Sequence, residues 1–316
     1  MQLSIIIPVY NEANYIRILL NSLLSNDEVD KEIFFADGGS TDGTIAIIEE
    51  YQQQYTNIYI VNNTKKYVSY GFNKAFPLTK GKYLTLMGAH ASYPEDFFKN
   101  GLHYLDTNEC DVVGGPLKQE GKGDTGEAIA FAMSSKFGVG GTEFRTESKK
   151  MYVDSVAFAI YKREIFEKIG LLDEELIRNQ DDELHYRMNA AGYRLLMVPE
   201  MQCTYYVRNT LSGLYKQYYQ YGLFKPLVLK KVHQGIRTRH LVPPAFCIYI
   251  ITLPIALLTV FWLVPLALYI ILLLFISIGA PLKIKQKGIL ILTFPTLHFS
   301  YGLGFLKGLV SKPVIK

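Results

Sequence analysis

The sequence predicts an α/β protein with a mostly parallel sheet, followed by a part that enters a membrane. Short apolar runs alternate with helical patterns from residue 1 to about 115, which is typical of a sheet covered by helices on both faces. A glycine-rich turn joins the second apolar run to its helix, and α/β sheets bind nucleotides at such corners. Residues 242–279 carry no charge, and this length is enough for two membrane helices.

The individual elements follow from local patterns. The apolar run at 3–9 predicts the first strand, and apolar residues at helical spacing predict a helix over 16–24. Gly170 suits the end of one later helix, and Asn179 suits the N-cap of the next. Further strands are expected at 33–36, 58–61, 82–87, 111–114, 152–161 and 193–198, and further helices from 44 and at 69–76, 94–105, 163–169 and 179–191.

Residues 116–150 are rich in Gly, Lys, Glu and Thr, which is typical of a disordered linker or a functional loop. The stretch nevertheless keeps Phe131, Met133, Phe137 and Phe144, which a linker would not need. We therefore expect an active-site loop that orders over substrate.

Charge is distributed unevenly along the 316 residues. No Asp or Glu follows Glu200, whereas thirteen Lys or Arg residues do. A basic and apolar tail suits an anionic lipid surface, and it is too apolar for a solvated arm that binds nucleic acid. The three cysteines are isolated, which favours neither a disulfide framework nor a zinc site and fits a reducing cytosol. No signal peptide is expected, because the amino-terminal apolar run is short and lacks a cationic flank.

Two predicted strands are each followed by an acidic residue, Glu12 after the first and Asp37 after the second. Gly38 and Gly39 allow the chain to reverse directly after Asp37. The Asp37 carboxylate is suited to ribose hydroxyls or a base N–H, and equally to stabilising its own turn.

The stretches IIIPVYNE and ADGGSTDGT resemble the inverting family-2 glycosyltransferases, which have the Rossmann-like GT-A fold. The resemblance covers about residues 1–230. It implies a catalytic domain over 1–230, a membrane domain over 231–316, and a UDP-sugar donor. The nucleotide-binding residues that it implies are Pro8, Tyr10, Glu12, Asp37, Gly39, Gly71, Asn73, Lys74 and Ala89.

Enzymes of this fold hold a divalent metal with an Asp-x-Asp motif after the fourth strand. This chain has Gly88 at the first aspartate and His90 at the metal-contacting one. We expect His90 to ligate the ion, with Mn²⁺ suiting imidazole better than Mg²⁺. The alternative is a histidine that only forms hydrogen bonds. Because the first aspartate is replaced by glycine, a weakened or inactive enzyme is a second alternative.

The catalytic base of the family begins a later helix, and the stretch from Arg178 to Arg187 resembles that segment. Aligning Glu183, Leu184 and Arg187 places the base at Asp181, with Asp182 beside it and Gln180 toward the acceptor. Adjacent helical residues point about 100° apart, so both carboxylates cannot face one hydroxyl. Acids also favour a helix N-terminus without any catalytic role.

The stretches 128–145, 153–156 and 178–187 together resemble the succinoglycan-biosynthesis glucosyltransferases, which add glucose to a lipid-linked sugar. On that resemblance Asp154 lies near the sugar or acceptor, although an aspartate in a strand-end turn is an equal interpretation. Gln217 and Tyr221 are weaker acceptor candidates, since they sit in a loose match to the Gln-x-x-Arg-Trp motif of membrane relatives.

The uncharged segment predicts spans at about 243–261 and 263–280, with a turn at 262–265. The apolar stretch 289–306 is expected to be re-entrant or interfacial, with a third span as the alternative. Flanking basic residues, with Lys307, Lys312 and Lys316 at the end, favour a multi-pass inner-membrane protein whose catalytic domain faces the cytosol.

The predicted function is transfer of a hexose, with glucose expected, from a UDP-sugar to a polyprenyl-linked saccharide during surface-glycan assembly. One alternative is transfer onto polyprenyl phosphate itself, where the nucleophile is already an anion. A catalytically impaired nucleotide-binding scaffold is the alternative from another class, suggested by Gly88.

Overall fold

The computed structural model describes residues 1–232 and 236–311. Two compact units make up the chain. The first unit contains Met1–Lys118 and Thr146–Tyr206, and the second contains Gln119–Arg145 and the chain from Val207 onward. This division differs from the predicted boundary at residue 230. Residues 119–145 and 207–230 both belong to the second unit together with the carboxyl-terminal part. The functional boundary at 230 stays a prediction.

Strands and helices alternate through the first unit. The strands are β1 Leu3–Val9, β2 Lys31–Asp37, β3 Ile58–Asn62, β4 Tyr83–Leu86, β5 Ala91–Ser92, β6 Val112–Gly115, β7 Leu117–Glu120, β8 Met151–Tyr152, β9 Ala157–Lys162, β10 Leu195–Met197 and β11 Cys203–Tyr206. The helices of this unit are α1 Ile16–Leu24, α2 Thr44–Gln52, α3 Val68–Ala75, α4 Phe97–Asp106, α8 Arg163–Ile169 and α9 Gln180–Ala190. The helices of the second unit are α5 Gly123–Ser134, α6 Lys136–Val139, α7 Glu143–Thr146 (ending at the unit boundary), α10 Leu211–Val232, α11 Thr238–Ile251, α12 Val264–Gly279 and α13 Ile284–Val310.

An eight-stranded sheet forms the centre of the first unit, in the order β3-β2-β1-β4-β9-β6-β10-β8. The pairs β1–β2, β1–β4 and β2–β3 are parallel, and β9 runs antiparallel to β4 and β6. The first strand is apolar along almost its whole length and buried on both faces, as a central strand covered by two helical layers requires. The predicted α/β fold with a mostly parallel sheet is confirmed.

Helix packing on the sheet follows the sequence periodicity. In α1 the buried residues are Ile16, Leu19, Leu20 and Leu23, which lie on one helical face. Helix α3 approaches β2 closely, because a β-carbon on Gly71 would lie 3.0 Å from the Cβ of Ala36. Glycine at this position is therefore explained by packing between helix and strand.

The second unit has its own helical core. Buried residues of α5, α12 and α13 form one cluster, with Phe294 of α13 and Leu273 of α12 among them. Helices α10 and α13 cross closely, because a β-carbon on Gly222 would overlap the carbonyl oxygen of Tyr301 and one on Gly304 would overlap that of Tyr219. Small residues at such a crossing allow the two backbones to touch.

Residues 116–150 are not a loop over most of their length. They contain β7, α5, α6 and α7, and α5 buries Ala128 and Ala132 in the core of the second unit. The apolar residues of this stretch, which suggested a substrate loop, pack against helices instead: Phe137 lies 4.9 Å from Phe294, between ring centroids. A role over substrate stays a prediction.

Residues 243–261, which were predicted as a span, do not form one continuous helix. Helix α11 has 14 residues and ends at Ile251, and short 3₁₀ turns follow it at Leu253–Leu257 and Val260–Leu263. At about 1.5 Å per residue, 14 residues reach about 21 Å, which is less than the hydrocarbon core of about 30 Å.

Two helical stretches are long and apolar enough to cross a membrane, Val260–Gly279 and Ile284–Val310, among the residues that the structure describes. The first matches the predicted span at 263–280. The second is one helix that continues through Pro295 and includes the stretch 289–306, for which a re-entrant or interfacial segment or a third span was predicted. Lys307 lies on this helix, whereas Lys312 and Lys316 lie outside the described residues.

Candidate active site

One edge of the central sheet gathers the predicted site residues of the first unit. The parallel strands β1, β2 and β4 end there, so the loops after Val9, Asp37 and Leu86 meet at this edge. Strand β9 begins there, because it runs antiparallel to β4. Asp154 and Ser155, which precede β9, therefore share the edge. This is the carboxyl-end crevice where open α/β sheets bind ligands.

The loops after β1 and β2 are tied together by reciprocal hydrogen bonds. The backbone N–H of Asn11 donates to Oγ of Ser40 at 2.9 Å, and the N–H of Thr41 donates to Oδ1 of Asn11 at 2.8 Å. The N–H of Glu12 donates to Oγ1 of Thr44 at 2.8 Å. Each loop therefore supplies polar groups that hold the other in place.

The Asp37 carboxylate stabilises its own turn. It accepts hydrogen bonds from the N–H of Gly39 at 2.9 Å, from the N–H of Ser40 at 3.1 Å and from Oγ of Ser40 at 2.6 Å. Gly39 has a φ of +82°, a conformation that glycine adopts without strain. Of the two roles considered for Asp37, the structure shows this one directly, and contact with a ribose stays a prediction.

Glu12 and His90 form a pair at the same edge. Nε2 of His90 lies 3.0 Å from Oε1 of Glu12, and both side chains are largely buried. The imidazole ring packs edge-on against Tyr15, with 4.7 Å between ring centroids. The second oxygen of Glu12, Oε2, is buried and has no hydrogen-bond partner among the described residues. No local sequence pattern predicts this pairing, because the two residues lie 78 positions apart.

The pair offers a partial set of metal ligands. An imidazole nitrogen and a carboxylate oxygen both suit Mn²⁺, and the orphaned Oε2 is an available donor. Within residues 1–232 and 236–311 no group of three or more His, Cys, Asp or Glu side chains could hold a metal ion. The residues therefore fit a divalent ion that takes its other ligands from a bound diphosphate and water.

Gly88 is explained by its neighbour Phe158. A β-carbon at position 88 would lie 3.0 Å from Cε1 of the Phe158 ring, so an aspartate there would displace the ring. Phe158 has a φ of +46°, which is rare for an aromatic residue and costs about 1–3 kcal/mol. Phe158 was not among the predicted site residues, because a lone phenylalanine in a strand carries no pattern that would reveal such a role.

The first turn of α9 holds the two candidate carboxylates in different surroundings. Asp181 is exposed, and its Oδ1 accepts a hydrogen bond from the N–H of Asp182 at 3.0 Å. Asp182 is half-buried, and its Oδ1 accepts a hydrogen bond from Oγ of Ser155 at 3.4 Å. The helix N-terminus favours negative charge at both positions. Asp181 is the more exposed of the two carboxylates.

The rest of the motif on α9 is structural. Arg187 binds both oxygens of Glu183, at 2.7 and 2.9 Å, and also donates to the carbonyl oxygens of Ile169 and Leu171. This fork anchors α9 to the end of α8. Gln180 lies at the start of α9, and its Oε1 is buried without a hydrogen-bond partner among the described residues.

The other predicted nucleotide-binding residues lie in different surroundings, and their role stays a prediction. The Asn73 amide donates to the carbonyl oxygen of Leu172 at 2.8 Å and accepts from its N–H at 3.1 Å. Lys74 is exposed, whereas Ala89 is buried. Pro8 lies within β1, and Tyr10 presents a ring that is 45% exposed.

The acceptor candidates divide between the two units. The carbonyl oxygen of Asp154 accepts a hydrogen bond from Asn189 of α9 at 2.8 Å. Gln217 and Tyr221 lie on α10 in the second unit, where Nε2 of Gln217 donates to the Tyr221 hydroxyl at 3.0 Å. An acceptor role for them stays a prediction.

A family model described as glycosyl transferase family 2 matches residues 4–170, which is more than half of the chain. The chain belongs to glycosyl transferase family 2. The predicted family and enzyme class are therefore confirmed.

Two curated members of the family illustrate how the similarity extends. The succinoglycan biosynthesis protein ExoA of Rhizobium meliloti (strain 1021) is 34% identical over 221 residues, covering 69% of this chain and 67% of that protein. A dolichyl N-acetyl-alpha-D-glucosaminyl phosphate 3-beta-D-2,3-diacetamido-2,3-dideoxy-beta-D-glucuronosyltransferase of Methanococcus voltae is 28% identical, covering 98% of this chain and 97% of that protein. The resemblance to the ExoA subfamily is thus confirmed, and similarity also reaches the carboxyl-terminal helices.

Solved structures of glycosyltransferases share the fold. Mannosyltransferase PcManGT from Pyrobaculum calidifontis, in complex with GDP-Man and Mn²⁺, gives a TM-score of 0.62 at 16% identity and covers 99% of this chain and 88% of that one. TarS 1-349 of S. aureus, in complex with UDP-GlcNAc, gives a TM-score of 0.52 at 16% identity. The match covers 97% of this chain and 91% of that one. At such identity the likeness concerns the GT-A fold alone.

Proposed function

We propose that this family-2 enzyme is a membrane-bound inverting glycosyltransferase that moves glucose from UDP-glucose to a lipid-linked saccharide. One observation carries the proposal: the paired Glu12 and His90, the Asp37 turn and the exposed carboxylate of Asp181 lie on loops and a helix built around one sheet edge. Such a site offers groups for a nucleoside diphosphate together with a base for an acceptor.

In this reaction Asp181 takes the proton from an acceptor hydroxyl as its oxygen attacks the anomeric carbon. A new glycosidic C–O bond forms while the bond from the anomeric carbon to the diphosphate oxygen breaks, and UDP leaves with the electron pair. The negative charge of the carboxylate and its exposure suit it to this role. Attack opposite to the leaving group inverts the anomeric configuration.

The donor is held by the loops after β1 and β2. The exposed ring of Tyr10 offers a face on which uracil stacks, and Asp37 has a carboxylate suited to ribose hydroxyls. His90 and Glu12 would hold the divalent ion, with Mn²⁺ preferred over Mg²⁺ because one ligand is imidazole. When bound, such an ion neutralises charge that develops on the departing diphosphate.

A lipid-linked acceptor is supported by the second unit and by relatives. Helix α12 exposes apolar side chains along its length, such as Leu268, Ile271 and Phe275, the last of which is 75% exposed. A bilayer is the solvent that such a helix suits. The relative from Methanococcus voltae is named for a dolichyl-linked sugar phosphate. Lys283, Lys285 and Lys287, around the link between α12 and α13, favour the cytosolic face for that link.

The test uses the full-length protein in detergent, supplied with membrane lipid extract and, in turn, UDP-glucose, UDP-galactose and their N-acetyl forms. We expect sugar transfer and UDP release to be fastest with UDP-glucose. Asp181→Asn should lower kcat by at least about 100-fold while UDP affinity stays unchanged. Glu164→Gln, which removes an exposed surface carboxylate, serves as the matched control.

Three results would count against the proposal. Full turnover by the Asp181→Asn variant would remove the base from its assigned position. Products with the sugar on polyprenyl phosphate itself would replace the saccharide acceptor by the lipid phosphate. UDP binding with neither transfer nor hydrolysis of any donor would indicate a scaffold.

A further inference from the structure

A buried chain of hydrogen bonds runs from the catalytic helix into the sheet. The Tyr161 hydroxyl lies 2.9 Å from Nε2 of His185, and Nδ1 of His185 lies 3.0 Å from Oγ of Ser155. Oγ of Ser155 then lies 3.4 Å from Oδ1 of Asp182. His185 is completely buried and Tyr161 is 4% exposed, so water does not compete for these contacts.

The donor and acceptor in each of these hydrogen bonds follow from the number of protons that the groups carry. Burial lowers the pKa of His185 to about 4, so its imidazole is neutral and has one donor and one acceptor nitrogen. Among the described residues the Tyr161 hydroxyl has one possible acceptor, Nε2 of His185. If Tyr161 donates to Nε2, the proton of His185 is on Nδ1 and points to Oγ of Ser155. The Ser155 hydroxyl is then free to donate to Asp182.

The opposite tautomer leaves the buried Tyr161 hydroxyl unsatisfied. A proton on Nε2 would point at the Tyr161 oxygen and leave the buried Tyr161 hydroxyl proton without an acceptor. Ser155 would then donate to Nδ1, and Asp182 would lose that donor. An unpaired buried hydroxyl costs about 1–3 kcal/mol, which selects the first arrangement.

We infer that Tyr161, His185 and Ser155 form a positioning relay that fixes Asp182 toward the sheet and thereby turns the neighbouring Asp181 toward the acceptor. The inference rests on the proposed function, in which Asp181 is the base. The contact between Ser155 and Asp182 anchors the first turn of the helix. Because adjacent helical side chains leave the helix about 100° apart, the rotation of that turn sets the direction in which the Asp181 side chain leaves it. The Asn189 amide, which binds the carbonyl oxygens of Asp154 and His185, ties the same segment to the helix.

Matched substitutions separate positioning from simple structural support. Ser155→Ala removes the hydroxyl that reaches Asp182, whereas Ser155→Thr keeps one. His185→Asn keeps an amide near the place of Nδ1 and loses the partner of Tyr161. His185→Gln reaches toward Tyr161 and loses the partner of Ser155.

The experiment measures kcat and KM for UDP-glucose with full-length protein and membrane lipid extract, together with UDP affinity and thermal unfolding. We expect Ser155→Ala and His185→Gln each to lower kcat about tenfold with UDP affinity unchanged. Ser155→Thr and His185→Asn should keep kcat within about threefold of the parent, and Tyr161→Phe added to His185→Asn should restore its thermal stability.

The relay is overturned if Ser155→Ala retains the parent kcat, or if the two His185 variants lose kcat equally. Ser155 is half-buried, so its pair of variants decides the question even if the His185 variants fail to fold. The Asp181→Asn variant distinguishes failure of the proposed catalytic base from failure of the relay. Full activity in that variant refutes the proposed base, whereas an inactive Asp181→Asn beside an unaffected Ser155→Ala refutes only the relay.

Discussion

The buried imidazole of His185 should make the stability of this protein depend on pH. Burial lowers the pKa of His185 from 6.5 to about 4. In the unfolded chain the imidazole of residue 185 therefore binds a proton below about pH 6.5, whereas in the folded chain it binds one only below about pH 4. The stabilisation is fully present above pH 6.5 and is lost as the pH falls through this window. A difference of about 2.5 pKa units, at about 1.36 kcal/mol each, amounts to about 3 kcal/mol.

The measurement compares thermal unfolding of the parent and of His185→Asn, which does not titrate in this range. Between pH 7.5 and pH 5.0 the parent should lose about 2 kcal/mol more than the variant, because the pH 5.0 point covers only part of the window. For a unit of this size that corresponds to a fall in Tm of roughly 4–8 °C beyond that of the variant. Other titrating groups are common to both proteins and cancel. Equal pH dependence in the two proteins would refute the assignment of a neutral, buried imidazole.

Three further substitutions test other features. Gly88→Asp should destabilise the protein by about 1–3 kcal/mol through its clash with the ring of Phe158, and Phe158→Ala in the same chain should recover part of the Tm; no recovery would refute the clash. Gly304→Ala should lower the Tm of the detergent-solubilised protein, because its β-carbon would overlap a backbone carbonyl of α10, whereas Gly288→Ala meets no atom within 4 Å and serves as its control. His90→Ala should weaken Mn²⁺ binding in the presence of UDP about tenfold or more, measured by electron paramagnetic resonance; unchanged binding would place the ion elsewhere.

The sheet was predictable because its signals are local. The run Leu3–Val9 is apolar except for Ser4 and becomes a strand buried on both faces. The acids after two such strands had to share an edge, since parallel strands end on the same side. This reasoning places Glu12 and Asp37 correctly at one edge without any knowledge of their contacts.

The remaining features depend on tertiary contacts that no local pattern encodes. Pairing of His90 with Glu12, and the ring of Phe158 over Gly88, join residues far apart in the chain. Hydropathy alone could not show that α11 stops at Ile251, because the apolar composition continues while the helical hydrogen bonding does not. The helices within 116–150 were missed because their glycine and charge content hides a buried face of small residues, such as Ala128 and Ala132.

The hydrogen bonds that join Asn11 to Ser40 and Thr41, and Glu12 to Thr44, have a consequence for redesign. Side chains of the loop after β1 and the loop after β2 hold each other in place. Replacing only one of these loops by that of a relative would therefore remove hydrogen bonds that stabilise the other. If these loops hold the donor nucleotide as proposed, a change of nucleotide preference should require both segments to be replaced together.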